Sequence, residues 1–443
     1  MSGGTGRWKP YPAYKDSGVE WLGQVPEGWE VMRLKYISTC NDEILPETTD
    51  DDYAFQYVDI SSVSLVEGIQ HMEAVYFGTA PSRARRIVRN GDCIISTVRT
   101  YLKAISPIDF DAENVIVSTG FAVIRPKEYI FSGFIKYFVQ SNGFVEEVCA
   151  NSTGVSYPAI NPTVMVGICC TCPSLAEQRV IAAFLDQQCS QIDSLITNKR
   201  RMLDLLDEKR RAIITQAVTR GLDPSTPMKD SGVAWLGQMP VGWEIKQIKR
   251  VSPVLRGASP RPIDDPVYFD DNGKFAWVRI ADVTSSETFL EKTTQRLSEL
   301  GANLSVKLES DSLFLSIAGS VGKPCITKIK CCIHDGFVYF PYLNINTKFL
   351  FYIFKSGEPY KGLGKMGTQL NLNTDTVGSI KIPIPSPSEQ RAIADYLDAQ
   401  TTALDAQKKN LEKSIDLLRE YRASLITHAV TGKIDVRDFV PAR

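Results

Sequence analysis

The 443-residue chain lacks several kinds of segment that would define its class immediately. No apolar run approaches the roughly 20 residues that cross a membrane, and the N-terminal stretch MSGGTGRWKPYPAY contains no apolar signal-peptide core. The formal net charge of −1 excludes a uniformly basic nucleic-acid-binding coat but allows local basic patches. We therefore expect a cytoplasmic chain without membrane segments, and its length predicts two or more domains.

Motifs of nucleotide hydrolysis, dinucleotide binding and hydrolytic catalysis are also missing. The segment from Gly319 to Pro324 is too short for a P-loop, and Pro324 stands where that motif requires Ser or Thr. Asn161-Pro162-Thr163 is not the Asn-Pro-Pro-aromatic motif of amino-methyltransferases. The three histidines are scattered, without an HExxH pattern. These absences predict a chain that holds no catalytic residue, cofactor or metal of its own.

Ten cysteines in a chain of this length do not indicate a disulfide scaffold. Cys169 and Cys172 do form a CxxC pair, but a zinc site requires about four ligands. In an internal repeat of the chain, Cys170 and Cys172 align with Ile382 and Ile384. This alignment favours a buried strand over a metal site.

Glycine and proline are absent from residues 177–219, EQRVIAAFLDQQCSQIDSLITNKRRMLDLLDEKRRAIITQAVT. Nothing therefore interrupts a helix of roughly 60 Å, at about 1.5 Å per residue. Its apolar residues recur at steps of seven, four and three, which keeps one seam facing a partner as in a coiled coil. The predicted seam residues are Leu185, Ile192, Ile196, Leu203, Leu206 and Ile213.

The same helix sequence occurs again at residues 389–431, where 20 of 43 positions are identical in an alignment without gaps. Because the apolar positions also align, the second seam is the expected partner of the first. The second helix is expected to run back along the first, since the intervening domain begins soon after the first helix ends. The seam residues predicted for the second helix are Leu397, Leu404, Ile415, Leu418 and Leu425.

A second repeat precedes each helix. Residues 15–38, KDSGVEWLGQVPEGWEVMRLKYIS, match residues 229–252 at 15 of 24 positions. We call these two stretches the anchor segments. Weaker similarities follow in the same order: YVDISSV (57–63) with WVRIADV (277–283), GDCIISTVRTYLKAI (91–105) with SDSLFLSIAGSVGKPCI (310–326), and STGFAVI (118–124) with HDGFVYF (334–340). The strands and turns follow in the same order in both domains, whereas most side chains on them differ. This pattern indicates two sites of the same kind with different specificities.

The sequence therefore predicts an α+β fold. Two similar mixed α/β domains are separated by two long helices, which form an antiparallel coiled coil with an approximate two-fold axis. The predicted boundaries are an N-terminal tail at 1–14, a first domain at 15–176, a first helix at 177–222, a second domain at 223–388 with a short linker at 220–229, a second helix at 389–431 and a C-terminal tail at 432–443.

Basic and polar side chains occupy matched loops of the two domains. Arg and Lys suit phosphate oxygens and guanine edges, whereas Asn and Gln suit adenine edges. Taken singly, such a residue is more often a solvated surface residue, so the matched position is what favours Arg99, Lys103 and Lys323. The full set of candidate nucleic-acid-binding residues is Arg83, Arg85, Arg86, Arg99, Tyr101, Lys103, Arg256, Arg261, Arg279, Ser320, Lys323, Gln369, Asn371 and Asn373.

The order of these segments resembles the specificity subunits of Type I restriction–modification systems. The similarity is carried by the anchor KDSGVEWLGQVPEGWEV and by helices that begin with EQ and end with AVT, and it covers nearly the whole chain. The resemblance implies two target recognition domains, each reading one half of a bipartite double-stranded DNA target. It also implies that the helices set the unread spacer and bind two modification (methyltransferase) subunits.

The resemblance places the chemistry in other subunits. The modification subunits carry S-adenosylmethionine and methylate adenine, and the restriction subunits hydrolyse ATP with magnesium and cut DNA. An alternative is a coiled-coil scaffold that joins two protein-binding modules without DNA readout, and a third hypothesis is an enzyme with an unrecognised site. Salt-dependent binding of duplex DNA favours the first hypothesis, and turnover by the isolated chain favours the third.

Overall fold

The structure, a computed structural model, describes residues 8–361, 363 and 372–441. The chain divides into two compact units. Unit 1 contains Met1–Arg200 and Glu412–Arg443, and unit 2 contains Arg201–Leu411. Each unit therefore combines one globular domain with a part of each long helix.

Unit 1 is built around short strands whose side chains are largely buried, because continuous apolar runs such as CIIS and VIVS fit the interior of a sheet protein. In chain order its elements are β1 (Tyr14–Asp16), β2 (Gln24–Pro26), β3 (Glu30–Arg33), α1 (Leu34–Ile37), β4 (Ser38–Cys40), β5 (Ala54–Val58), β6 (Val63–Ser64), β7 (Gly68–Ile69), β8 (Glu73–Tyr76), β9 (Ala84–Ile87), β10 (Cys93–Ser96), β11 (Ile105–Pro107), β12 (Val115–Ser118), β13 (Phe121–Pro126), α2 (Ser132–Phe138), α3 (Asn142–Ala150), α4 (Pro162–Met165), β14 (Cys169–Cys172) and the start of α5 (Leu175–Arg220).

Two four-stranded sheets form the centre of the first domain. One has the order β11-β10-β13-β4 and is antiparallel, and the other has the order β8-β5-β12-β9. In the second sheet β5 and β12 are parallel, with Val117 opposite Val58. Side chains from both sheets, including Ile94 and Phe121, share one buried cluster with these two valines. The parallel pair places the residues after β5 and β12 at one edge.

Unit 2 continues the chain from the last part of α5. Its elements are β15 (Met228–Asp230), β16 (Gln238–Pro240), β17 (Glu244–Gln247), β18 (Leu255–Arg256), β19 (Phe275–Val278), α6 (Ile280–Ser285), β20 (Phe289–Leu290), β21 (Gln295–Leu297), α7 (Glu299–Asn303), β22 (Val306–Leu308), β23 (Leu313–Ser316), β24 (Pro324–Thr327), β25 (Cys331–Ile333), β26 (Phe337–Tyr339), α8 (Thr347–Lys355), α9 (Thr374–Ser379), β27 (Lys381–Ile384) and α10 (Pro387–Val430), whose last part belongs to unit 1.

The sheets of the second domain repeat those of the first. The order β24-β23-β26-β18 matches β11-β10-β13-β4, and β21-β19-β25-β22 matches β8-β5-β12-β9. The parallel pair is again present, with Ile333 opposite Val278. The second domain adds one strand, β20, at the free edge of β24. The predicted pair of similar mixed α/β domains is confirmed.

The two long helices are α5, with 46 residues, and α10, with 44 residues. In unit 1, Thr171 before α5 donates a hydrogen bond to the carbonyl of Val430 at 2.6 Å, and Asp193 pairs with Arg422 at 3.2 Å. A later position on α5 therefore meets an earlier position on α10, so the segments are antiparallel. Of the predicted seam residues in this unit, Leu185, Ile192, Ile196, Ile415 and Leu425 are buried and Leu418 is half-buried.

Unit 2 contains the last part of α5 and the first part of α10. Here Asp207 pairs with Lys408 at 3.2 Å and Arg210 pairs with Asp405, again in an antiparallel order. Of the predicted seam residues in this unit, Leu397 and Leu404 are buried, and Leu203, Leu206 and Ile213 are half-buried. Among the described residues, no helix has the length and apolar character needed to cross a membrane.

The glutamine of each EQ pair connects the start of a helix to its domain. Gln178 is buried, and it donates to the carbonyl of Pro173 at 2.9 Å and accepts from the N–H of Phe131 at 2.8 Å. Gln390 makes the same two bonds, to the Pro385 carbonyl at 2.9 Å and from the Asn346 N–H at 2.8 Å. One amide side chain thus satisfies a buried acceptor and a buried donor.

The anchor segments pack against helix ends. Trp29 and Trp243 are buried, and each lies beside a left-handed glycine that ends a helix: Gly432 (φ 71°) in unit 1 and Gly221 (φ 77°) in unit 2. Glycine adopts this conformation without steric penalty at a helix C-terminus. The repeated tryptophans therefore mark where each domain begins on the end of a helix.

The described parts of both predicted tails make contacts in unit 1. The hydroxyl of Tyr11 donates to Glu177 at 2.8 Å, and the N–H of Asp435 donates to the carbonyl of Lys9 at 2.7 Å. Ile434 is buried after the end of α10. These segments therefore cover the start of α5.

Candidate nucleic-acid interface

A loop at the same place in both domains forms the centre of the candidate interface. It joins β10 to β11 at residues 96–104 and joins β23 to β24 at residues 316–323, where it is one residue shorter. Matched hydrogen bonds hold the two loops beside the ends of the parallel strands. They are Thr97 N to Gly120 O and Ile317 N to Gly336 O, both 2.8 Å, and the hydroxyls of Ser96 to Val98 O (2.5 Å) and of Ser316 to Ala318 O (2.7 Å).

Two residues of each loop have a left-handed backbone. In the second domain they are Gly319 (φ 64°) and Gly322 (φ 83°). In the first domain they are Arg99 (φ 50°) and Lys103 (φ 52°), at the same positions when each is counted from its neighbouring strand. This backbone disfavours a side chain by roughly 1–2 kcal/mol per residue. The first domain thus retains two cationic side chains where glycine is sterically preferred.

The exposed face of the first-domain loop brings Arg99, Tyr101 and Lys103 together. Thr100 lies between them and is buried. The guanidinium of Arg99 lies over the ring of Tyr157, 4.7 Å from its centroid, which fixes the direction of the cation. Three predicted residues therefore share one surface with the ring of Tyr157.

Arg83 lies at the neighbouring strand ends and pairs with Asp59 at 2.8 Å. The Tyr57 hydroxyl also donates to Asp59 at 2.9 Å. Burial alone would raise the pKa of Asp59, but hydrogen bonds from Ser61 and Tyr57 and the charge of Arg83 together lower it. Asp59 is therefore a charged acceptor at neutral pH, and Arg83 keeps more than half of its side chain exposed.

Arg85 and Arg86 lie partly buried in the first domain. The guanidinium of Arg85 lies over Phe77 at 4.5 Å and donates to the carbonyl of Ala84 at 2.9 Å. These contacts provide a structural role for Arg85. Arg86 is half-buried on β9, opposite Val117, and its buried Nε has no hydrogen-bond partner.

In the second domain the carboxylate follows the other strand of the parallel pair. Asp335 follows β25 and pairs with Arg261 at 3.0 Å, and its backbone carbonyl accepts from Arg256 at 2.6 Å. Burial would raise the pKa of Asp335, but the hydrogen bond from Ser259 and the charges of Arg261 and Arg256 lower it. Arg256 and Arg261 thus both contact Asp335, and both arginines remain exposed.

The predicted residues of the second-domain loop turn toward α6. Lys323 Nζ donates to the carbonyl of Thr284 at 2.6 Å, and the Ser320 hydroxyl lies 2.7 Å from that of Thr284. Burial, together with the charge of Lys355, lowers the pKa of Lys323. Arg279 is exposed just before α6. Lys323 therefore has a partner inside its domain, unlike the exposed Lys103 on the first-domain loop.

The last predicted group lies near α9. Gln369 and Asn371 fall outside the described residues. Asn373 caps α9, because its side-chain oxygen accepts a hydrogen bond from the N–H of Thr376 at 2.8 Å. This bond is a structural role for Asn373.

The cysteines form no metal site among the described residues, where no group of three His, Cys, Asp or Glu side chains could hold an ion. Cys169 and Cys172 lie on β14, paired with β3, so the predicted strand is confirmed. Burial raises the pKa of the Cys172 thiol, with a further contribution from Glu30, which disfavours a thiolate ligand.

Sequence reasoning missed three residues of this surface: Asp59, Asp335 and Tyr157. The signal for the two aspartates was present, because YVDI and HDGF are the segments in which the domains differ in charge at matched positions. Tyr157 gave no such signal, since only the folded chain brings residues 152–160 to the loop at Arg99.

Comparisons with known proteins agree with this architecture. A family model for the Type I restriction modification DNA specificity domain matches residues 240–414. The putative type I restriction enzyme MjaX specificity subunit of Methanocaldococcus jannaschii is 22% identical over 446 residues, covering 94% of this chain and 96% of the relative. The MjaVIII specificity subunit of the same organism is 24% identical over 437 residues, covering 94% and 95%.

A solved structure of the type I R-M system, from work on its assembly and conformational transition, contains a chain with the same fold. Its TM-score to this chain is 0.74 at 24% identity, over 93% of this chain and 99% of that one. Residues 240–414 thus match the Type I restriction modification DNA specificity domain, nearly the whole chain is similar to Type I restriction enzyme specificity subunits, and its fold is shared with a chain of a solved type I R-M structure.

Proposed function

We propose that each domain reads one half of a bipartite target in double-stranded DNA, through the loops at the carboxyl ends of its parallel strands. The observation that supports this proposal is the shared loop framework. Matched hydrogen bonds hold residues 96–104 and 316–323, whereas the side chains on them differ. A constant framework with variable side chains is what two readers of different half-sites require.

The charges at these loops fit a polyanion. Arg99 and Lys103 are exposed in the first domain, and Arg256, Arg261 and Arg279 are exposed in the second. Arginine and lysine bind phosphates, and arginine also binds guanine in the major groove. The nearby carboxylates of Asp59 and Asp335 can accept a hydrogen bond from the amino group of cytosine.

The proposal is tested by exchanging residues 57–161 for the matching segment of a relative with another target. Lys136 and Tyr137 are retained, because both contact Asp186 on α5 at 2.8 Å. Mapping of methylated adenines in cells that carry the hybrid and its modification subunits should show one new half-site and one old one. If both halves change, the domains do not read independently.

We further propose that α5 and α10 set the spacer between the half-sites and bind two modification subunits. S-adenosylmethionine belongs to those subunits in this scheme, and ATP with magnesium belongs to restriction subunits that join the same assembly in the cytoplasm. The support from this chain is two helices of 46 and 44 residues, antiparallel in each unit.

The role of the helices as a spacer is tested by adding seven residues to each. The helices lengthen by roughly 10 Å at 1.5 Å per residue, and the seam returns to nearly the same face. At about 3.4 Å per base pair, the preferred spacer should grow by roughly three base pairs. The spacer distribution among methylated sites is the readout, since the altered twist lowers total activity. An active variant with an unchanged spacer would refute this role.

A further inference from the structure

The first-domain loop combines backbone strain with an exposed apolar tip. Arg99 and Lys103 enclose one short turn, Thr100–Leu102. Its tip residues are largely solvent-accessible, with Tyr101 54% and Leu102 52% exposed. Single exposed apolar residues are common, but residues held in unfavourable backbone conformations cluster at functional sites. The combination therefore points to a ligand that needs this turn.

The turn is held firmly by contacts on its buried side. Thr100 is buried, and its hydroxyl lies 2.7 Å from that of Ser152. Its carbonyl accepts a hydrogen bond from the thiol of Cys149 at 3.5 Å. Inside the turn, Leu102 N donates to Arg99 O and Lys103 N donates to Thr100 O, both at 2.9 Å. The tip is thus presented on a fixed base.

The matched loop of the second domain has no such tip. Glycines occupy its two left-handed positions, and between them Ser320 bonds with Thr284 and Val321 packs against the core of unit 2. The loop framework can therefore form without strain and without exposed apolar side chains. Neither feature of the first-domain loop is required by the fold.

We propose that Tyr101 and Leu102 form an apolar wedge that enters the base stack of the half-site read by the first domain. Arg99 and Lys103, on either side of the tip, bind the flanking phosphates. Apolar side chains that enter a base step unstack it and kink the duplex, and cations beside them compensate the phosphate charge. The inference rests on the proposed function, because it requires that this domain contacts DNA.

The test uses the complete complex of this chain with its modification subunits, on a duplex that carries its mapped target. 2-Aminopurine replaces one base at a time, and its fluorescence rises where stacking is lost. The methylated adenine is left out of the scan because methyltransferases flip their target base. We expect the 2-aminopurine fluorescence to rise at one base step of the first half-site and at no step of the second half-site.

The wedge variant is Tyr101→Ser with Leu102→Ser. It should abolish the fluorescence rise and weaken binding of the cognate duplex about tenfold or more, while the unfolding midpoint stays unchanged. A duplex that already carries an abasic gap at the wedged step should restore most of the affinity of the variant.

The strained positions allow a second, independent measurement. Arg99→Gly removes a side chain from a left-handed backbone, so it should leave the unfolding midpoint equal or higher and yet weaken DNA binding. Tyr342→Gly is the matched control, since Tyr342 also has a positive φ (60°) and is 91% exposed. Gly336, which bonds to the loop, precedes β26, whereas Tyr342 follows the other end of that strand. It should raise stability in the same direction without changing DNA affinity.

The possible results separate the two proposals. If the complex binds its target with the first half-site specified, but no step brightens or the wedge variant binds normally, the wedge is refuted and the proposed function stands. If the complex shows no preference at the first half-site, both are refuted. If Arg99→Gly lowers stability and affinity together, the loop is structural and the wedge is refuted.

Discussion

The two domains hold the loops at residues 96–104 and 316–323 with the same backbone bonds but place different charges beside them. In the first domain the carboxylate at the strand ends belongs to Asp59, which pairs with Arg83. In the second domain the position that matches Asp59 is Arg279, and the carboxylate lies instead on Asp335, after the neighbouring strand. The charge arrangement can therefore be exchanged between strands without a change in the sheets that carry it.

The contacts between each domain and its helices show the opposite behaviour. Tyr137 donates to Asp186 at 2.8 Å in unit 1, and Tyr352 donates to Asp398 at 2.6 Å in unit 2. Each aspartate also pairs with a lysine, but from different positions: Lys136 is one residue before its tyrosine and Lys348 is four residues before its own. The tyrosine–aspartate bonds at the helices are thus repeated, whereas side chains at the loops diverge. This contrast is what the proposed function requires of residues that place a domain and of residues that contact DNA.

The largest expected effect concerns the two buried glutamines at the helix starts. Gln178→Ala and Gln390→Ala should each leave one N–H and one carbonyl unpaired, at roughly 1–3 kcal/mol for each group. Because the two sites make the same bonds, both variants should lose similar stability in urea unfolding. Gln216→Ala, at an exposed position of α5, is the control and should stay near the original value. A large loss at one site only would show that the two glutamines do not contribute equally to stability.

A smaller effect is expected from the glycines of the second-domain loop. Gly319→Ala and Gly322→Ala should destabilise the chain by about 1–2 kcal/mol each, because the backbone is left-handed at both. A Cβ would also lie 2.8 Å from Ile280 and 2.9 Å from Tyr360, respectively. Arg99→Ala is the matched control, since a Cβ is already present there, and it should lower stability only through loss of the contact with Tyr157, by about 0.5–1 kcal/mol. Thermal unfolding of the three variants provides the comparison.

Much of the fold was predictable because the sequence contains two copies of its anchor segment and of its long helix. The repeated helices, free of glycine and proline, predicted both long helices to within two residues at each end. The role of the repeated glutamine was not predictable, since its partners at Phe131 and Asn346 lie far from it in sequence. The repeat indicates that the glutamine has a role in both copies, whereas only the folded structure shows which groups it hydrogen-bonds.

The loop chemistry was less predictable for a physical reason. The sequence grouped Lys103 with Lys323, but the second-domain loop is one residue shorter, so the two lysines are not at equivalent positions. Left-handed conformations at Arg99 and Lys103 could not be foreseen, because the residue types give no sign of a backbone that favours glycine. Specificity of the individual loop residues stays a prediction.

Lys103 and Lys323 test whether the two loops use their cations in the same way. Lys103→Met should weaken DNA binding, reduce the slope of log K against log salt by about one, and leave stability unchanged, because its side chain is exposed. Lys323→Met should lower stability by about 1 kcal/mol through loss of the bond to Thr284, discounted for its partial exposure. Its effect on DNA binding should be smaller than that of Lys103→Met. Equal DNA effects in the two variants would show that both loops use lysine in the same way.

The smallest expected effect is a pH dependence that only the second domain has at its strand ends. His334 there occupies the position of Ser118, and burial lowers the pKa of its imidazole, partly opposed by Asp335. A depressed folded-state pKa means that the unfolded chain binds the proton more tightly. The resulting stability is therefore fully present above the unfolded pKa of about 6.5 and is lost as the pH falls through the folded pKa.

His334→Asn should remove part of the stability loss between neutral and mildly acidic pH in urea unfolding. His428 also has a pKa lowered by burial and by Lys433, so His428→Asn is the matched control and should remove only its own part of that loss. If His334→Asn leaves the pH profile of stability unchanged, the imidazole is as well solvated in the folded chain as in the unfolded one, and the two sets of strand ends differ in charge alone.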